Sequence, residues 1–560
     1  MGKKLKLSLI ALSCAQILNT TSAIAAASTE TGSSEHKNIV YILVDDQRYD
    51  AMGFMNPLIK TPNMDAIAKN GVHYKNAFVT TSLSSPSRAS ILTGLYAHNH
   101  HISDNNPNSV VKNLKYFPEE LKKAGYQTGF FGKWHFGGAD KDAKAGFAGF
   151  DHWVGLLGQG DYWPIDMMGK PSKLNVDGQL VPQKGYITTE LTDYTIDWLD
   201  HIDKTKPFFV YLGHKGVHAD FEASPKYKGT MKNVHFPVPA SEANTDENYR
   251  GKPLWVKNQR DTWHGIDFPY NKNLDIQTFQ RDYYETLRSV DDSVGRIRKY
   301  LKDNNLDKNT VVMLMGDNGF MFGEHGLIDK RNAYEESMRV PLIAEGPGFS
   351  KGKEISDVVA NIDIAPTILD IAGIKRPDWY DGHSFYGLDQ GKGKQDRKDY
   401  FAYEYFWEYD FPFTPTIFAL RNSEWKYIQP YGLWDKEELY NLKDDPKEMH
   451  NLIDSKDPKV IAQKIVMRKE LYQELKNKDG DHVIPYNERN HRGQVFRRAD
   501  APAMADVPSE WKRGYNPADK YHDLFPDAVN KDETVKKLTE AMQSRDKAVA
   551  EFIKAHPDAQ

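Results

Sequence analysis

The chain of 560 residues is too long for one ordinary hydrophobic core, which favours two domains. Charged residues make up 27% of it and aromatic residues 12%, a composition that is typical of folded globular proteins and excludes a disordered chain. The formal net charge of −5 gives no general attraction to nucleic acid or other polyanions, so an anion must be bound by a local cluster of cations.

Residues 1–27 have the pattern of a secretory signal peptide. A lysine-rich start precedes a mainly apolar run over 7–18, and an alanine-rich stretch at 23–27 offers cleavage sites. The one cysteine, Cys14, lies inside this segment, so we expect no disulfide in the mature chain. No later run approaches the ~20 apolar residues that a membrane-spanning helix needs. The pattern predicts a periplasmic or secreted protein without a membrane span.

Apolar runs that alternate with helical patterns predict an α/β fold. The runs that are typical of strands buried on both faces cover 38–44, 128–131, 207–212 and 310–315. The helical patterns between them include 62–69, 118–124 and 283–301. We therefore expect a doubly wound, mostly parallel central sheet flanked by helices in a catalytic domain over 28–392. Short strands and helices beyond it predict a smaller C-terminal α+β domain over 393–560.

Each predicted strand of the central sheet is followed by residues that can do chemistry. In chain order these are Asp45 and Asp46, Lys133 and His135, His214 and His218, and Asp317 and Asn318. Alternation along a strand would put Lys133 and His135 on one face. Ligand sites of such sheets lie at the carboxyl ends of the strands, so we expect these side chains to meet. Adjacent carboxylates after a buried strand are costly unless a cation or hydrogen bonds hold them. Capping of the next segment is the alternative.

The stretch from Ser84 to Gly94 predicts a short helix whose start favours an anion. Pro86 suits a first helical turn, and Gly94 is a plausible stop. Ser84 would then face free backbone N–H groups, and Arg88 would add a planar fork of donors one turn later. A capped surface helix is the alternative interpretation of the same residues.

These motifs resemble the formylglycine-dependent sulfatases of the alkaline phosphatase superfamily, in particular bacterial polysaccharide sulfatases. The signature of that family reads here Ser84-Ser85-Pro86-Ser87-Arg88, followed by Leu92-Thr93-Gly94. The other matching motifs, in the order of the family, are Asp45-Asp46, Gly132-Lys133-Trp134-His135, His214 with His218, Asp317-Asn318, Lys330 and the segment 438–452. The resemblance implies an alkaline-phosphatase-like fold and the hydrolysis of sulfate esters.

The resemblance also implies a role for each matching residue. In the family the first residue of the signature is oxidised to formylglycine (3-oxoalanine), whose hydrate attacks sulfur, and this position is Ser84. The implied catalytic residues are Ser84, Arg88, Lys133, His135, His218 and Lys330. The implied ligands of a calcium ion are Asp45, Asp46, Asp317, Asn318 and the oxygen at position 84, an all-oxygen set that suits calcium better than zinc.

The chain departs from the usual family pattern at two positions. Most members carry cysteine where Ser84 stands, so the site is either a serine-type site matured by a sulfatase-maturating enzyme or a replacement that prevents maturation. Members usually have serine or threonine where Gly316 stands. The sequence does not decide between a serine-type site and a replacement that prevents maturation at Ser84.

Further residues are candidates for substrate recognition. The segment 249–267 interleaves cations with aromatic residues, which can bind sulfates and stack on sugar rings. A packed insertion explains the same pattern. The histidine-rich stretch 96–101 predicts a polar loop near the substrate, because no second cluster at zinc-ligand spacing follows it. The predicted substrate-binding residues are His98, His214, Arg260, Trp263 and His264.

The sequence therefore predicts a sulfatase acting on a sulfated polysaccharide or oligosaccharide, such as a carrageenan-type galactan. Glycosaminoglycans and mucins are alternative candidates for the substrate. A phosphonate or phosphate monoester hydrolase of the same superfamily is one alternative, and a sulfated-glycan binding protein without turnover is another if Ser84 is not matured. The expected partners are the sulfated carbohydrate and a maturating enzyme, and no nucleic acid.

Overall fold

The structure is a computed structural model in which the described residues are 36–105, 111, 113–137, 139–260, 262, 264–266, 275–408, 411–431, 434–478, 480 and 524–559. The predicted signal peptide at 1–27 and the predicted substrate-binding residue Trp263 lie outside the described residues.

Short buried runs of β-branched and aromatic residues form the strands. These are β1 (Asn38–Val44), β2 (Val72–Tyr74), β3 (Ala77–Phe78), β4 (Gln127–Gly132), β5 (His152–Leu156), β6 (Lys173–Val176), β7 (Gln179–Pro182), β8 (Phe208–Gly213), β9 (Thr310–Gly316), β10 (Met321–Phe322), β11 (Ile328–Asp329), β12 (Leu342–Glu345), β13 (Lys353–Ile355), β14 (Val359–Ala360), β15 (Tyr400–Tyr405), β16 (Ile417–Asn422), β17 (Trp425–Pro430) and β18 (Glu438–Asn441).

Ten of these strands form the central sheet, in the order β13-β2-β12-β9-β1-β8-β4-β5-β6-β7. Its middle strands, from β9 to β5, run parallel to one another. Strands β12, β6 and β7 pair antiparallel towards the two edges. The predicted mostly parallel sheet is therefore confirmed, and the carboxyl ends of β1, β4, β8 and β9 meet at one edge of it.

Strand β1 shows why the sheet is covered on both faces. One hydrophobic core holds Ile39, Tyr41 and Leu43. A second core, on the opposite face, holds Val40, Ile42 and Val44. All six side chains are fully buried. Burial of each such side chain contributes about 1.5–3 kcal/mol, so the continuous apolar run requires helices on both sides of the sheet.

Most of the helices come from segments between the strands, and the last two follow β18. The helices are α1 (Pro62–Asn70), α2 (Ser84–Thr93), α3 (Ala97–His100), α4 (Phe117–Lys123), α5 (Ala139–Asp142), α6 (Ile187–His201), α7 (Asp246–Tyr249), α8 (Leu254–Gln259), α9 (Ile276–Asp303), α10 (Glu335–Met338), α11 (Ile364–Ile371), α12 (Pro458–Asn477) and α13 (Lys531–Ala555). The predicted loop at 96–101 contains the helix α3, which is a correction to the sequence analysis.

Helix α9 is the longest of the helices that support the site. The Asp275 side chain caps its start by accepting a hydrogen bond from the Thr278 backbone N–H at 3.1 Å. Its apolar stripe packs in the same core as Val40, and it includes Tyr283 and Val290. One side of α9 therefore lies directly behind the end of β1.

The smaller C-terminal sheet is antiparallel, in the order β15-β16-β17-β18, and α12 packs beside it. Its residues share a core with those of the central sheet, and the ring of Phe401 stacks on that of Phe78 in β3 with centroids 5.0 Å apart. The predicted C-terminal α+β domain is confirmed as a class, while its boundary at residue 392 stays a prediction. Within the part of the chain that the structure describes, no helix has the length and apolar character needed to cross a bilayer.

Candidate active site

The predicted nucleophile is the first residue of a buried helix. Helix α2 begins at Ser84, after Leu83 in extended backbone, and every residue of α2 is buried. Ser84 Oγ lies 3.3 Å from Asp45 Oδ1 and 3.5 Å from Lys133 Nζ. The free backbone N–H groups of a first helical turn favour an anion at this point. The surface helix that was the alternative interpretation is therefore excluded by the burial.

Three carboxylates lie at the same edge of the sheet, and we call them the carboxylate cluster. Asp45 and Asp46 follow β1, and Asp317 follows its parallel neighbour β9. Each offers an oxygen within 4.8 Å of the others, and all three side chains are buried. The Asp46 backbone N–H donates to Asp317 Oδ1 at 2.9 Å, which holds the two strand ends together.

Helix α9 sets the backbone of the carboxylate cluster. The Tyr283 hydroxyl donates to the Asp46 carbonyl at 2.8 Å and accepts from the Arg48 backbone N–H at 2.9 Å. Asp46 itself has φ of 52°, a left-handed conformation that Asp tolerates better than most residues. The turn after β1 is thus fixed from behind, with both aspartates directed to one side.

Three buried cations surround the carboxylates. Arg88 contacts Asp317 Oδ2 through Nε at 2.9 Å and through Nη2 at 2.8 Å, and its Nη1 donates to the Lys133 carbonyl at 2.7 Å. Lys133 pairs with Asp45, and Lys330 pairs with Asp46. Every predicted cation of the site therefore reaches the carboxylate cluster, from a helix, a strand end and a later loop.

The pKa values of the three carboxylates shift in different directions. Burial raises the pKa of Asp46 to about 7, with Asp45 and Asp317 adding to the effect against Lys330. Burial and the charge of Asp45 also raise the pKa of Asp317. For Asp45, burial is outweighed by Lys133 and Arg88, which hold its pKa well below the ordinary range. The three cations equal the three carboxylates in number, yet they do not keep the pKa of Asp46 or of Asp317 at its ordinary value.

Asn318 provides a test of whether a metal ion fits here. Its Nδ2 donates to Asp46 Oδ1 at 2.7 Å and to the Gly319 carbonyl at 2.9 Å. Its Oδ1 is buried and has no hydrogen-bond partner among the described residues. A buried amide oxygen without a donor, next to three carboxylates, is a donor set that a hard cation such as Ca²⁺ satisfies. The residues therefore fit the predicted metal.

His135 lies beside the start of α2, but the predicted strand alternation with Lys133 does not place it there. Strand β4 ends at Gly132, so strand alternation does not relate Lys133 to His135, and His135 has φ of 72°. Its Nδ1 lies 3.1 Å from the hydroxyl of Ser85, which also donates to the His135 carbonyl at 2.5 Å. Burial and then Lys133 lower the pKa of His135 well below its ordinary value. Ser85 was missed, although its place beside Ser84 in the signature was a signal.

His218 lies where the site opens to solvent. Its side chain keeps 21% of its surface exposed, and its Nε2 lies 4.0 Å from Asp46 Oδ2. The Tyr162 hydroxyl donates to the His218 carbonyl at 2.8 Å and fixes the loop after β8. Burial, followed by Lys133, lowers the pKa of His218 well below its ordinary value. Burial and the nearby cation thus disfavour the protonated imidazole.

Two histidines that were predicted to bind substrate have partners inside the protein. His98 Nδ1 lies 2.7 Å from Glu404 Oε2, and its Nε2 lies 2.6 Å from the Lys478 carbonyl. His214 is fully buried, with Nε2 3.0 Å from the Ser293 hydroxyl. Neither nitrogen of His98 is left for a sugar, so its position links α3 to the C-terminal sheet instead.

Two predicted substrate-binding residues of the segment 249–267, Arg260 and His264, are buried, whereas substrate binding needs accessible side chains. Arg260 is buried, and its guanidinium donates to the Glu242 carbonyl and to the Tyr249 hydroxyl. His264 is buried against the ring of Phe411, with centroids 4.7 Å apart, and its Nε2 lies 3.4 Å from Asp329 Oδ2. His264 thus approaches the loop that carries Lys330, whereas Arg260 has a structural position.

Comparisons with known proteins agree with this geometry. The Sulfatase family model matches residues 37–374, and the model of the N-sulphoglucosamine sulphohydrolase C-terminal region matches 323–477. An N-acetylglucosamine-6-O-sulfatase of Bacteroides thetaiotaomicron is 31% identical over 488 residues, covering 76% of this chain and 84% of the relative.

Solved structures show the same fold. A structure in complex with its substrate D-glucosamine-2-N,6-O-disulfate is 29% identical, with a TM-score of 0.72, and the match covers 80% of this chain and 99% of that one. A phosphonate monoester hydrolase of Agrobacterium radiobacter has a TM-score of 0.66 at 21% identity, covering 79% and 96% of the two chains. This second likeness concerns the fold alone.

The doubly wound sheet, with carboxylates, cations and a helix start at its carboxyl edge, defines a hydrolase of the alkaline-phosphatase-like class. The region 37–374 that matches the Sulfatase model is more than half of the chain and includes every residue of the carboxylate cluster, so a family within this class can be named. The chain belongs to the sulfatase family, whose members are sulfuric ester hydrolases.

Proposed function

We propose that this sulfatase removes the 6-O-sulfate ester from a glucosamine-type sugar of a glycosaminoglycan chain. The observation that carries the proposal is the convergence of Ser84 with the carboxylate cluster and three cations at one edge of the sheet. The choice of sugar is supported by the relative named for N-acetylglucosamine-6-O-sulfate and by the neighbour solved with a 6-O-sulfated glucosamine. These similarities favour it over the carrageenan-type galactan of the sequence analysis.

The nucleophile of the proposal is formylglycine made from Ser84. When hydrated, formylglycine supplies a hydroxyl group that can attack sulfur. The position suits such a group, because it lies at a helix start and 3.3 Å from a carboxylate oxygen. A sulfatase-maturating enzyme is the partner that this modification requires.

A calcium ion held by Asp45, Asp46, Asp317, Asn318 and the oxygen at position 84 would supply positive charge beside the nucleophile. Lys133 and Lys330, which pair with Asp45 and Asp46, are the ammonium groups that would contact sulfate oxygens if these carboxylates held the ion. Arg88 keeps Asp317 and the Lys133 carbonyl in place through its three short contacts. Cations fixed in a buried site stabilise charge on the sulfuryl oxygens as the ester bond breaks.

The two histidines handle protons on opposite sides of the reaction. His218 donates to the leaving oxygen, since it is the histidine on the open side of the site. The negative charge of a bound sulfate ester raises the pKa of His218 from the low value that it has without substrate. His218 is then protonated and can donate this proton to the leaving oxygen. His135 stays neutral and accepts a proton when sulfate is released. Ser85 holds the His135 ring for that step.

Two measurements test the proposal. The peptide that contains position 84, taken from protein coexpressed with a maturating enzyme, should be lighter than the unmodified serine peptide by two hydrogens in a mass spectrum. The matured protein should release sulfate from 6-O-sulfated N-acetylglucosamine faster than from sulfated galactan oligosaccharides. Faster release from the galactan would contradict the choice of sugar.

Measurements on this protein also distinguish the sulfatase function from the two alternative functions. Preferred turnover of an aryl phosphate or phosphonate over the aryl sulfate would favour the phosphonate monoester hydrolase function. An intact serine in protein from the native host, together with binding of sulfated glycans, would favour a glycan-binding protein. A periplasmic or secreted location remains a proposal that rests on the predicted signal peptide at 1–27.

A further inference from the structure

A cavity of about 600 Å³ lies beside the loop that carries His218. Tyr162 and Lys215 line it, and the Tyr162 hydroxyl is the group that donates to the His218 carbonyl. Lys215 lies three residues before His218 on the same loop. The volume is within the range of about 300–1,000 Å³ that is usual for small-molecule sites. The wall of this cavity is therefore in direct contact with the residue proposed to protonate the leaving oxygen.

The opposite wall is the helix α13, which lies outside both matched family regions, 37–374 and 323–477. Met542 and Arg545 line the cavity from this helix. Arg545 holds α13 against the catalytic domain through two contacts with the Glu222 carboxylate, both at 2.9 Å. The cavity is thus closed by a helix that lies beyond the matched sulfatase regions.

Lys215 is the group in this cavity that most needs a ligand. Its residue is only 5% exposed, and its described partners are the Gln159 carbonyl at 3.4 Å and the face of the Tyr162 ring at 4.8 Å. No carboxylate among the described residues forms an ion pair with it. A buried ammonium group with one long hydrogen bond retains donors that a ligand oxygen would satisfy.

The charge of the lining indicates what kind of ligand fits. The lining includes five carboxylates and three cations. The cations are Lys215, Lys228 and Arg545, and the last of these is already paired with Glu222. The excess of negative charge disfavours a second sulfate or a uronate carboxylate. Carboxylate acceptors and an ammonium donor together suit the hydroxyl groups of an uncharged sugar.

We propose that the cavity between α13 and the His218 loop binds an uncharged sugar residue joined to the sulfated one. This inference rests on the sulfatase function proposed above, because His218 marks the side on which the leaving alcohol, and hence the rest of the glycan, must lie. The site makes the enzyme selective for an oligosaccharide over a monosaccharide, with Lys215 as a specificity-determining residue and α13 as the element that provides the second wall.

The test compares Met542→Trp, which fills the cavity from α13, with Gln543→Trp, which adds the same side chain at the exposed next position. The substrates are the 6-O-sulfated monosaccharide, its disaccharide with a neutral hexose, and its disaccharide with a uronate. We expect kcat/KM of the wild type to be at least tenfold higher for the neutral disaccharide than for the monosaccharide. Met542→Trp should abolish this preference, Gln543→Trp should retain it, and the uronate disaccharide should show no gain.

A preference that survives in Met542→Trp would overturn the proposal, and a gain of equal size with the uronate would overturn its charge assignment. Lys215→Met provides a second variant in case the tryptophan displaces α13, and it should reduce the preference at least threefold by raising KM for the disaccharide. Calorimetric binding of the unsulfated neutral disaccharide tests the site independently of turnover. Wild-type binding that Met542→Trp removes supports the site even if the sulfate ester is not hydrolysed, whereas no binding to the wild type refutes it.

Discussion

Two buried clusters of charge can be compared in this protein, and they differ in how their carboxylates are balanced. One is the carboxylate cluster of Asp45, Asp46 and Asp317. The other, which we call the Glu335 cluster, contains Glu335 with Arg421, Lys426 and Glu448, and it joins α10 to the C-terminal sheet. Glu335 accepts from Arg421 at 3.2 Å, and Lys426 Nζ lies 3.0 Å from Glu335 Oε1.

The same degree of burial has opposite results for Glu335 and for Asp46. For Glu335, burial is outweighed by Arg421 and Lys426, and its pKa falls far below the ordinary range. For Asp46, burial prevails and the pKa rises to about 7. Glu335 has its cations within the fold, so it is a structural residue. Beside the carboxylate cluster, Asn318 Oδ1 has no hydrogen-bond partner among the residues that the structure describes, which supports the proposed calcium site.

The largest expected effect is on the carboxylate cluster. Asp317→Asn keeps the volume of the side chain but removes one anionic ligand, and we expect bound calcium to be lost and kcat/KM to fall at least about 1,000-fold. Metal content by mass spectrometry and sulfate release measure the two effects. Full turnover by this variant in the presence of a chelator would show that the metal assignment is wrong.

Glu335→Gln is the matched change in the other cluster. It leaves Arg421 buried without its carboxylate and Lys426 paired with Glu448 alone, so we expect the free energy of unfolding to fall by about 3–5 kcal/mol, as urea denaturation would show. Calcium content and kcat/KM of the folded fraction should stay within about twofold of the wild type. Loss of calcium in this variant would contradict the division into a structural cluster and a metal site.

A third prediction concerns the buried pair of His98 and Glu404. Burial lowers the pKa of His98, but Glu404 outweighs it and raises the value from 6.5 to about 9. The folded state therefore binds this proton more tightly than the unfolded state. The pair stabilises the fold fully below pH 6.5, and its contribution is lost as the pH rises through about 9. The change in pKa corresponds to roughly 3 kcal/mol.

Urea denaturation between pH 6 and pH 10 measures this contribution, with His98→Gln as the comparison. The variant should be less stable at pH 6 and should lose most of the decline that the wild type shows between pH 6.5 and pH 9. An unchanged decline in His98→Gln would assign the pH dependence to other groups.

The smallest expected effect concerns the open side of the site. His218→Ala should lower kcat/KM for a 6-O-sulfated sugar about 100-fold but for a nitrophenyl sulfate less than tenfold, because an aryl oxide leaves without a proton. Exposed His201 provides the control, and His201→Ala should change neither rate. Equal losses on both substrates in His218→Ala would remove its role as a proton donor.

Much of the fold and of the site could be predicted because the information is local. The run 38–44 is apolar at nearly every position, which requires two buried faces, and β1 has the predicted bounds. The helix start at Ser84 and the polar ends of β1 and β9 are also visible in sequence order. Parallel neighbours must place such ends at one edge, so the meeting of Asp45 with Asp317 follows from topology once the strands are recognised.

Other properties depend on partners that are distant in the chain. The composition of the segment 249–267 suggested substrate contacts, yet Arg260 is held by Glu242, and nothing local distinguishes a packed arginine from an exposed one. His98 is paired with Glu404, which lies more than 300 residues further along the chain. The predicted alternation of Lys133 and His135 also did not apply, because β4 ends at Gly132.

The sequence alone therefore determined the family resemblance, the α/β class and the residues at the helix start and strand ends, since each depends on a short pattern. Only the tertiary structure decided which buried charges are balanced by the protein and which are left for a cation. It also decided that α13 returns to form a cavity beside His218. Burial and pairing of charges depend on contacts between residues that are distant in the chain, and a short stretch of sequence does not specify those contacts.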